Sequence, residues 1–152
     1  MQARMPNPAL IHNDAMKALF ALHKSTQGKG VSDNLLHLID LRVSQINGCS
    51  FCVDMHAREC RQAGESDERL FAVAAWREAP WFTDAERAAL ELAEAVTRIA
   101  DRGDAVSDEV WERARAHYDE AALASLLIAI ANINVWNRLN VATRQPAGQR
   151  VA

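Results

Sequence analysis

Three side chains within eight residues are of types that do chemistry together: Cys49, Cys52 and His56, in Cys49-Ser50-Phe51-Cys52-Val53-Asp54-Met55-His56. Two neighbouring thiols can shuttle between dithiol and disulfide, and an imidazole moves protons near neutral pH. The segment from Cys49 to Ala63 lacks proline and glycine, and Gly64 follows as a stop, so it reads as a helix. On a helix, positions i, i+3 and i+7 share one stripe, so both sulfurs and the imidazole face the same way. One turn between the cysteines puts their Cα atoms within the roughly 4.4–6.8 Å that a disulfide needs. The helix start offers unpaired N–H groups and positive potential to a thiolate, which favours Cys49. His56 stands one turn past Cys52, about 6 Å along the axis, and about 10 Å from Cys49, which favours Cys52.

Two other readings of the same residues stay open. Two thiolates and an imidazole are three ligands of a structural zinc site, and a fourth would have to come from another helix. The cysteines also suit two small core positions that share a face. Cys60 lies on the stripe too, four residues after His56, and reads as a buried small hydrophobe too far from Cys52 to resolve it. His37, twelve residues before Cys49 and between Leu36 and Leu38, is read either as a rim residue or as part of the site. Asp54 and Arg42 read as surface or ion-pair residues.

These residues need a scaffold, and the pattern predicts an all-α one. Strand signals are nearly absent, and the one Asn-Gly dipeptide, Asn47-Gly48, has helical patterns on both sides. Six to seven helices are expected. Asn7-Pro8 opens the first, whose stripe is Ile11, Met16, Leu19, Phe20 and Leu22 and which Gly28-Lys29-Gly30 closes. Ser32 caps the second, which carries Leu35, Leu36, Ile39, Val43 and Ile46. The cysteine helix follows. Ser66 opens a short fourth helix that stops before Pro80. The capping box Thr83-x-x-Glu86 starts a fifth, Ser107 caps a sixth, and Asp119 starts the last. From Ala121 to Ala131 that last helix has no charged residue, so it is a core element or an oligomer interface. Asn132, Asn134 and Asn137 follow, and a buried hydrogen-bonding role is the reading for these poor helix formers.

At 152 residues the chain is expected to be one domain over 1–152, with a core of about 32–146 and a frayed tail from Gln145. A net charge of −3 gives no electrostatic case for nucleic acid or an anionic membrane. Three cysteines, an odd number, argue against a secreted disulfide scaffold. The first residues lack an apolar run of signal-peptide length, and Ala121 to Ala131 is too short to span a bilayer. The expectation is a cytoplasmic protein.

Leu41-Arg42-Val43-Ser44-Gln45-Ile46-Asn47-Gly48 running into Cys49–His56 resembles the core of the AhpD-like, carboxymuconolactone decarboxylase superfamily. Asn134-Val135-Trp136-Asn137-Arg138-Leu139-Asn140, with Thr143-Arg144, is similar to the C-terminal motif of the AhpD-like branch. The resemblance runs from about Ser32 to Pro146. It implies an all-helical fold that assembles as trimers or hexamers, and an alkylhydroperoxidase-like thiol peroxidase. By that resemblance Cys52 is the peroxidatic cysteine, Cys49 the resolving one and His56 the proton-relay histidine. Well-known members carry a glutamate twelve residues before the first cysteine, where this chain has His37. The decarboxylase branch lacks the cysteine pair, which argues against lactone decarboxylation here.

The expected mechanism follows. His56, with His37 through a water, takes the Cys52 proton. The thiolate attacks a small hydroperoxide and becomes a sulfenic acid, and Cys49 condenses with it to a disulfide. An external dithiol reduces that disulfide, with no metal or organic cofactor. The rival functions are a disulfide reductase or redox partner with little peroxidase turnover, and a zinc-binding structural protein. A homo-oligomer is expected from the uncharged Ala121–Ala131 face together with Trp76 and Trp81, taken as exposed.

Overall fold

The computed structural model describes residues 2–148. Among them are eight α-helices and no strand: α1 (Pro8–Ile11), α2 (Asn13–Ser25), α3 (Asp33–Ile46), α4 (Ser50–Gln62), α5 (Asp67–Ala72), α6 (Asp84–Thr97), α7 (Asp108–Arg115) and α8 (Glu120–Thr143). Short 3-10 turns occupy Val73–Ala75 and Ile99–Asp101. The count exceeds the expected six to seven because the first helix is two. At His12 the backbone leaves the helix (φ −102°, ψ 86°), closing α1 and opening α2. The segment before the break is pinned to the end of α8: Arg4 N–H donates to the Thr143 carbonyl at 2.8 Å, and Asn7 bonds Asn140. α2 packs along α8 on its own course, so the chain bends between them.

The polar residues expected to start helices do so. Ser32, Ser66, Ser107 and Asp119 each accept a backbone N–H three residues on, and Thr83 with Glu86 forms the reciprocal capping box. α3 is the central plank. Its Leu35, Leu36, Ile39 and Val43 enter a core shared with α6, α7 and α8. Its Leu38 and Leu41 face the other way, into a cluster with Cys60, Leu70, Val73, Trp76 and Leu90. A helix apolar on two faces is sandwiched, and each fully buried leucine contributes about 1.5–3 kcal/mol.

α8 is the second plank, with Leu126 and Ile130 fully buried. At 24 residues it is long and apolar enough by length and composition to cross a membrane, and 56% of its most apolar stretch is buried inside the molecule, as a core helix would be. Along Ala121–Ala131 the exposed residues are Ala121, Ala124 and Ala131, with Leu127 and Ile128 partly exposed. Trp76 was expected to be exposed and is buried at 4%, because its indole N–H donates to Glu94 Oε1 at 3.0 Å. Trp81 is exposed. Large exposed apolar residues also stand on α1 and α2 (Leu10, Ile11, Phe20 and Leu22), on α5 (Phe71) and on the second half of α8 (Val135 and Val141). No residue of α2 is buried.

The tail expected to fray is tied down at its start. Gln145 N–H donates to the Asn140 carbonyl, its side-chain amide donates to the Met5 carbonyl at 2.8 Å, and Gly148 N–H reaches Asp54 Oδ2 at 3.0 Å. Residues 149–152 of that tail lie outside the described residues.

Candidate active site

The turn between α3 and α4 places the cysteines. Gly48 sits at φ +67°, the left-handed conformation glycine adopts without a Cβ penalty. That conformation closes α3 with a Schellman motif: Cys49 N–H donates to the Ser44 carbonyl at 3.0 Å and Gly48 N–H to the Gln45 carbonyl at 3.3 Å. Cys49 thereby becomes the N-cap of α4, its Sγ accepting the Cys52 N–H at 3.3 Å. Asn47 Nδ2 donates to Asn134 Oδ1 at 3.0 Å and Asn137 Oδ1 at 2.8 Å, and Asn137 Nδ2 donates to Ser44 Oγ at 3.0 Å. The asparagines of α8 thus clamp the turn that holds Cys49, as their buried reading requires. Asn132 is the exception: its Oδ1 is buried with no protein partner.

Cys49 and Cys52 are joined as a disulfide with Cα atoms 5.3 Å apart. Both are buried. Cys52 forms part of the wall of a cavity of about 440 Å³, between α2, α3, α4 and α8, and Cys49 lies outside it. Most of that wall is apolar, including Phe20, Phe51, Met55, Ile133 and Trp136. Phe20 and Trp136 lie tilted with ring centroids 5.9 Å apart. Three buried polar atoms without a protein partner, His37 Nδ1, His56 Nε2 and Asn132 Oδ1, belong to residues that line this cavity. Buried polar atoms are usually paired, so three such atoms in one wall mark a place where water or a ligand can be held.

His56 is where the sequence placed it, on the Cys52 face of α4. Its ring is held by a partner the sequence reading missed. Glu59, three residues on, bonds His56 Nδ1 at 2.7 Å and leaves Nε2, on a residue that lines the cavity, buried and without a protein partner. The signal was available as an i,i+3 pair on one helix face. The hydrogen bond of the ring goes to Glu59, and none joins it to the Cys52 sulfur one turn away. The sulfur is met instead by Asn140 Nδ2 at 3.2 Å. His37 also reaches the site. Its Nδ1 lies 3.9 Å from Glu59 Oε2, so one carboxylate faces two imidazoles.

A second carboxyl was missed as well. Asp40, one turn after His37 on α3, lines the cavity and is 4% exposed. Burial pushes its pKa up, against the pull of His56, His23 and His37. Burial works to lower the His56 pKa, and the Glu59 hydrogen bond with the charges of Asp40 and Glu59 overcomes it, so His56 holds its proton above the ordinary value. Glu59 is pushed up by burial and brought below the usual carboxylate value by the His56 hydrogen bond and the charges of His56, His37 and His23.

Cys60 is fully buried and unpaired, and burial with Glu65, Asp40 and Glu59 nearby pushes its thiol to about 12. It behaves as the small hydrophobe expected. Asp54 pairs with Arg58 at 2.8 Å. Arg42 bonds the buried Glu94 at 2.7 Å, with Trp76 and Arg77 on the same carboxylate. Among the described residues no three His, Cys, Asp or Glu side chains are grouped as a metal site requires.

The carboxymuconolactone decarboxylase family model matches residues 13–95. An uncharacterized protein of Bacillus subtilis strain 168, YdfG, is 38% identical over 137 residues, covering 90% of this chain and 92% of YdfG. A solved structure from Agrobacterium tumefaciens, of a protein of unknown function proposed as the antioxidant defence protein AhpD, has a TM-score of 0.88 at 40% identity, covering 98% of this chain and 100% of that one. An uncharacterized peroxidase-related protein of Ralstonia eutropha JMP134 with the alkylhydroperoxidase AhpD core shares the fold, with a TM-score of 0.80 at 20% identity over 93% of this chain and 74% of that one. With this match across its helices and around its cysteine turn, the chain belongs to the AhpD-like, carboxymuconolactone decarboxylase superfamily.

Proposed function

We propose that this protein is a thiol peroxidase of the AhpD-like type, reducing organic hydroperoxides through Cys49 and Cys52. The observation that carries the reading is the placement of Cys52 in the wall of a largely apolar cavity, with Cys49 one turn away in disulfide reach. In the reduced protein the Cys52 thiol gives its proton to His56 Nε2 through a water. The thiolate attacks the peroxide oxygen, the O–O bond breaks, and the leaving alkoxide takes the proton from His56 to depart as alcohol. Cys52 is then a sulfenic acid. The Cys49 thiol displaces its hydroxyl, releasing water and forming the disulfide. An external dithiol reduces that disulfide by exchange, returning two thiols.

Each residue has a place in this scheme. Glu59 orients His56 and raises its proton affinity. His37 tunes the same carboxylate and stands where the family resemblance implies a glutamate. The apolar wall accepts the organic part of the substrate and keeps water low around the sulfur. The same thiols serve a disulfide reductase, and turnover with peroxide separates the two. A cytoplasmic location suits a pair that must be re-reduced after each cycle. Assembly as a trimer or hexamer is part of the proposal, supported by the exposed apolar residues of α1 and α2.

The test is stoichiometric. One equivalent of cumene hydroperoxide added to reduced protein should remove two thiols per chain and yield the Cys49–Cys52 disulfide, with Cys60 still free. Steady peroxide consumption with dithiol donors should then follow and vanish in Cys52→Ser. Disulfide reduction without peroxide consumption would overturn the peroxidase reading in favour of the reductase.

A further inference from the structure

The Cys52 sulfur meets an amide whose direction is not free. Asn140 Nδ2 donates to Cys52 Sγ at 3.2 Å, with both residues buried. Asn140 Oδ1 accepts from Asn7 Nδ2 at 2.6 Å. Asn7 in turn caps α1, its Oδ1 accepting the Ala9 N–H at 2.8 Å. A backbone N–H can only donate, so it assigns the oxygen of Asn7. The nitrogen of Asn7 must then face Asn140, which assigns the oxygen of Asn140 and leaves its N–H for the sulfur. Three hydrogen bonds in series thus aim one donor from the N-terminal turn of the chain at Cys52.

We propose that Asn140 is a catalytic residue that stabilises the Cys52 thiolate through this N–H, and that Asn7 is the positioning residue that keeps the amide from turning over. The arrangement bears on which of the two cysteines reacts. Cys49 holds the helix start and the Cys52 N–H, donors that by themselves would favour a thiolate at Cys49 rather than at Cys52. Cys52 lies one turn inside α4, past those donors, and faces the cavity. A side-chain donor on its sulfur is what shifts the thiolate to the cysteine that substrate can reach. Titratable groups sharing the cavity with Cys52 are His23 from α2, His37 and Asp40 from α3, and His56 and Glu59 from α4. The polar side chains that α8 and the N-terminal segment bring to the wall are the neutral amides of Asn132, Asn140 and Asn7. The donor therefore works at every pH where those five groups change charge.

The inference rests on the thiol-redox reading of the site, and its test needs no peroxide, so loss of peroxidase turnover and loss of this role are separate results. The rate of Cys52 alkylation by iodoacetamide is followed against pH in a reduced Cys49→Ser, Cys60→Ser background. Asn140→Leu should raise the Cys52 pKa by about one unit or more, as expected for losing a hydrogen bond to a charged group, with the limiting rate at high pH no lower, because nucleophilicity rises with thiol pKa. In the companion Cys52→Ser, Cys60→Ser background Asn140→Leu should leave Cys49 alkylation unmoved. Asn140→Asp is the isosteric second variant should leucine prevent folding. It still accepts from Asn7 and sets an oxygen against the sulfur, so the Cys52 pKa should rise further.

Asn7→Asp keeps the cap on Ala9 and removes the donor to Asn140, so the amide turns its oxygen to the sulfur and the pKa rises. In an Asn140→Leu background the same Asn7→Asp change should add nothing. An unmoved Cys52 profile in Asn140→Leu or Asn140→Asp overturns the proposal. An Asn7→Asp shift of equal size with and without Asn140 would mean that its charge acts directly on the sulfur, and would overturn the positioning role.

Discussion

Replacing Glu59 by glutamine keeps the side chain's shape and removes its charge. In the wild type, burial works to lower the His56 pKa, and the Glu59 hydrogen bond, the charge of Asp40 and the charge of Glu59 together raise it above 6.5. With glutamine a neutral amide oxygen can still accept from Nδ1–H, but the charge is gone, and Asp40 is the one carboxyl left to oppose burial, its own charged form disfavoured by burial. A hydrogen bond between charged groups contributes about 1.5–3 kcal/mol when buried. The Glu59 side chain is 39% exposed, so solvent screening brings this to about 1–1.5 kcal/mol, or about one pKa unit. The carboxylate stabilises the imidazolium, so Glu59→Gln should lower the His56 pKa by that amount. NMR titration of the His56 ring in the oxidised protein reads it directly.

The same pair sets a stability window. His56 is raised in the folded state, so its contribution is full below the ordinary 6.5 and is lost as pH rises through the folded value. Glu59 is lowered, so its contribution is full above the ordinary 4.5 and is lost as pH falls through its folded value. Denaturant melts should therefore show Glu59→Gln costing about 1 kcal/mol between those ordinary values and little in the alkaline range, where His56 is neutral. A His56 titration that stays put or moves upward in the variant would refute the reasoning.

Glu94 accepts from Arg42, Trp76 and Arg77, which hold its pKa down against burial, so Glu94→Ala should destabilise by about 3–5 kcal/mol by leaving Arg42 unpaired inside. Because the Glu94 and Glu86 pKa values are both lowered, acid unfolding should set in as pH falls below 4.5, and Glu94→Gln should flatten that limb in pH-dependent melts. His37→Ala should slow peroxide turnover by up to about 10²-fold and less than His56→Ala does, while His37→Glu should keep or raise it; equal rates in His37→Ala and wild type would make His37 a helix-face residue only. Light scattering at micromolar concentration should give a trimer or hexamer, and Phe20→Glu with Leu22→Glu should shift it toward smaller species; a wild-type monomer would exclude the assembly.

The residue pattern alone determined the elements and the chemistry-bearing face. Capping residues are local: Ser32, Ser66, Thr83, Ser107 and Asp119 start their helices through bonds three residues away. The sharing of one stripe by Cys49, Cys52 and His56 is also local, since helical periodicity fixes it before any packing. Glu59 belonged to that local information and was legible as His56 plus three.

What only the tertiary structure decided are the contacts made across the chain. Asp40 reads from its own helix as one acid among apolar neighbours, and only the packing of α3 against α4 buries it beside His56. Trp76 looks like surface until Glu94, eighteen residues away, gives its N–H a partner. The break at His12 has no proline or glycine to announce it, and it follows from pinning Arg4 and Asn7 to α8. The donor on Cys52 comes from Asn140, 88 positions away, aimed by Asn7, 133 positions from Asn140. A helix period can say which way a sulfur faces. What that sulfur meets depends on where the two ends of the chain are brought together, which only packing around α3 and α8 supplies.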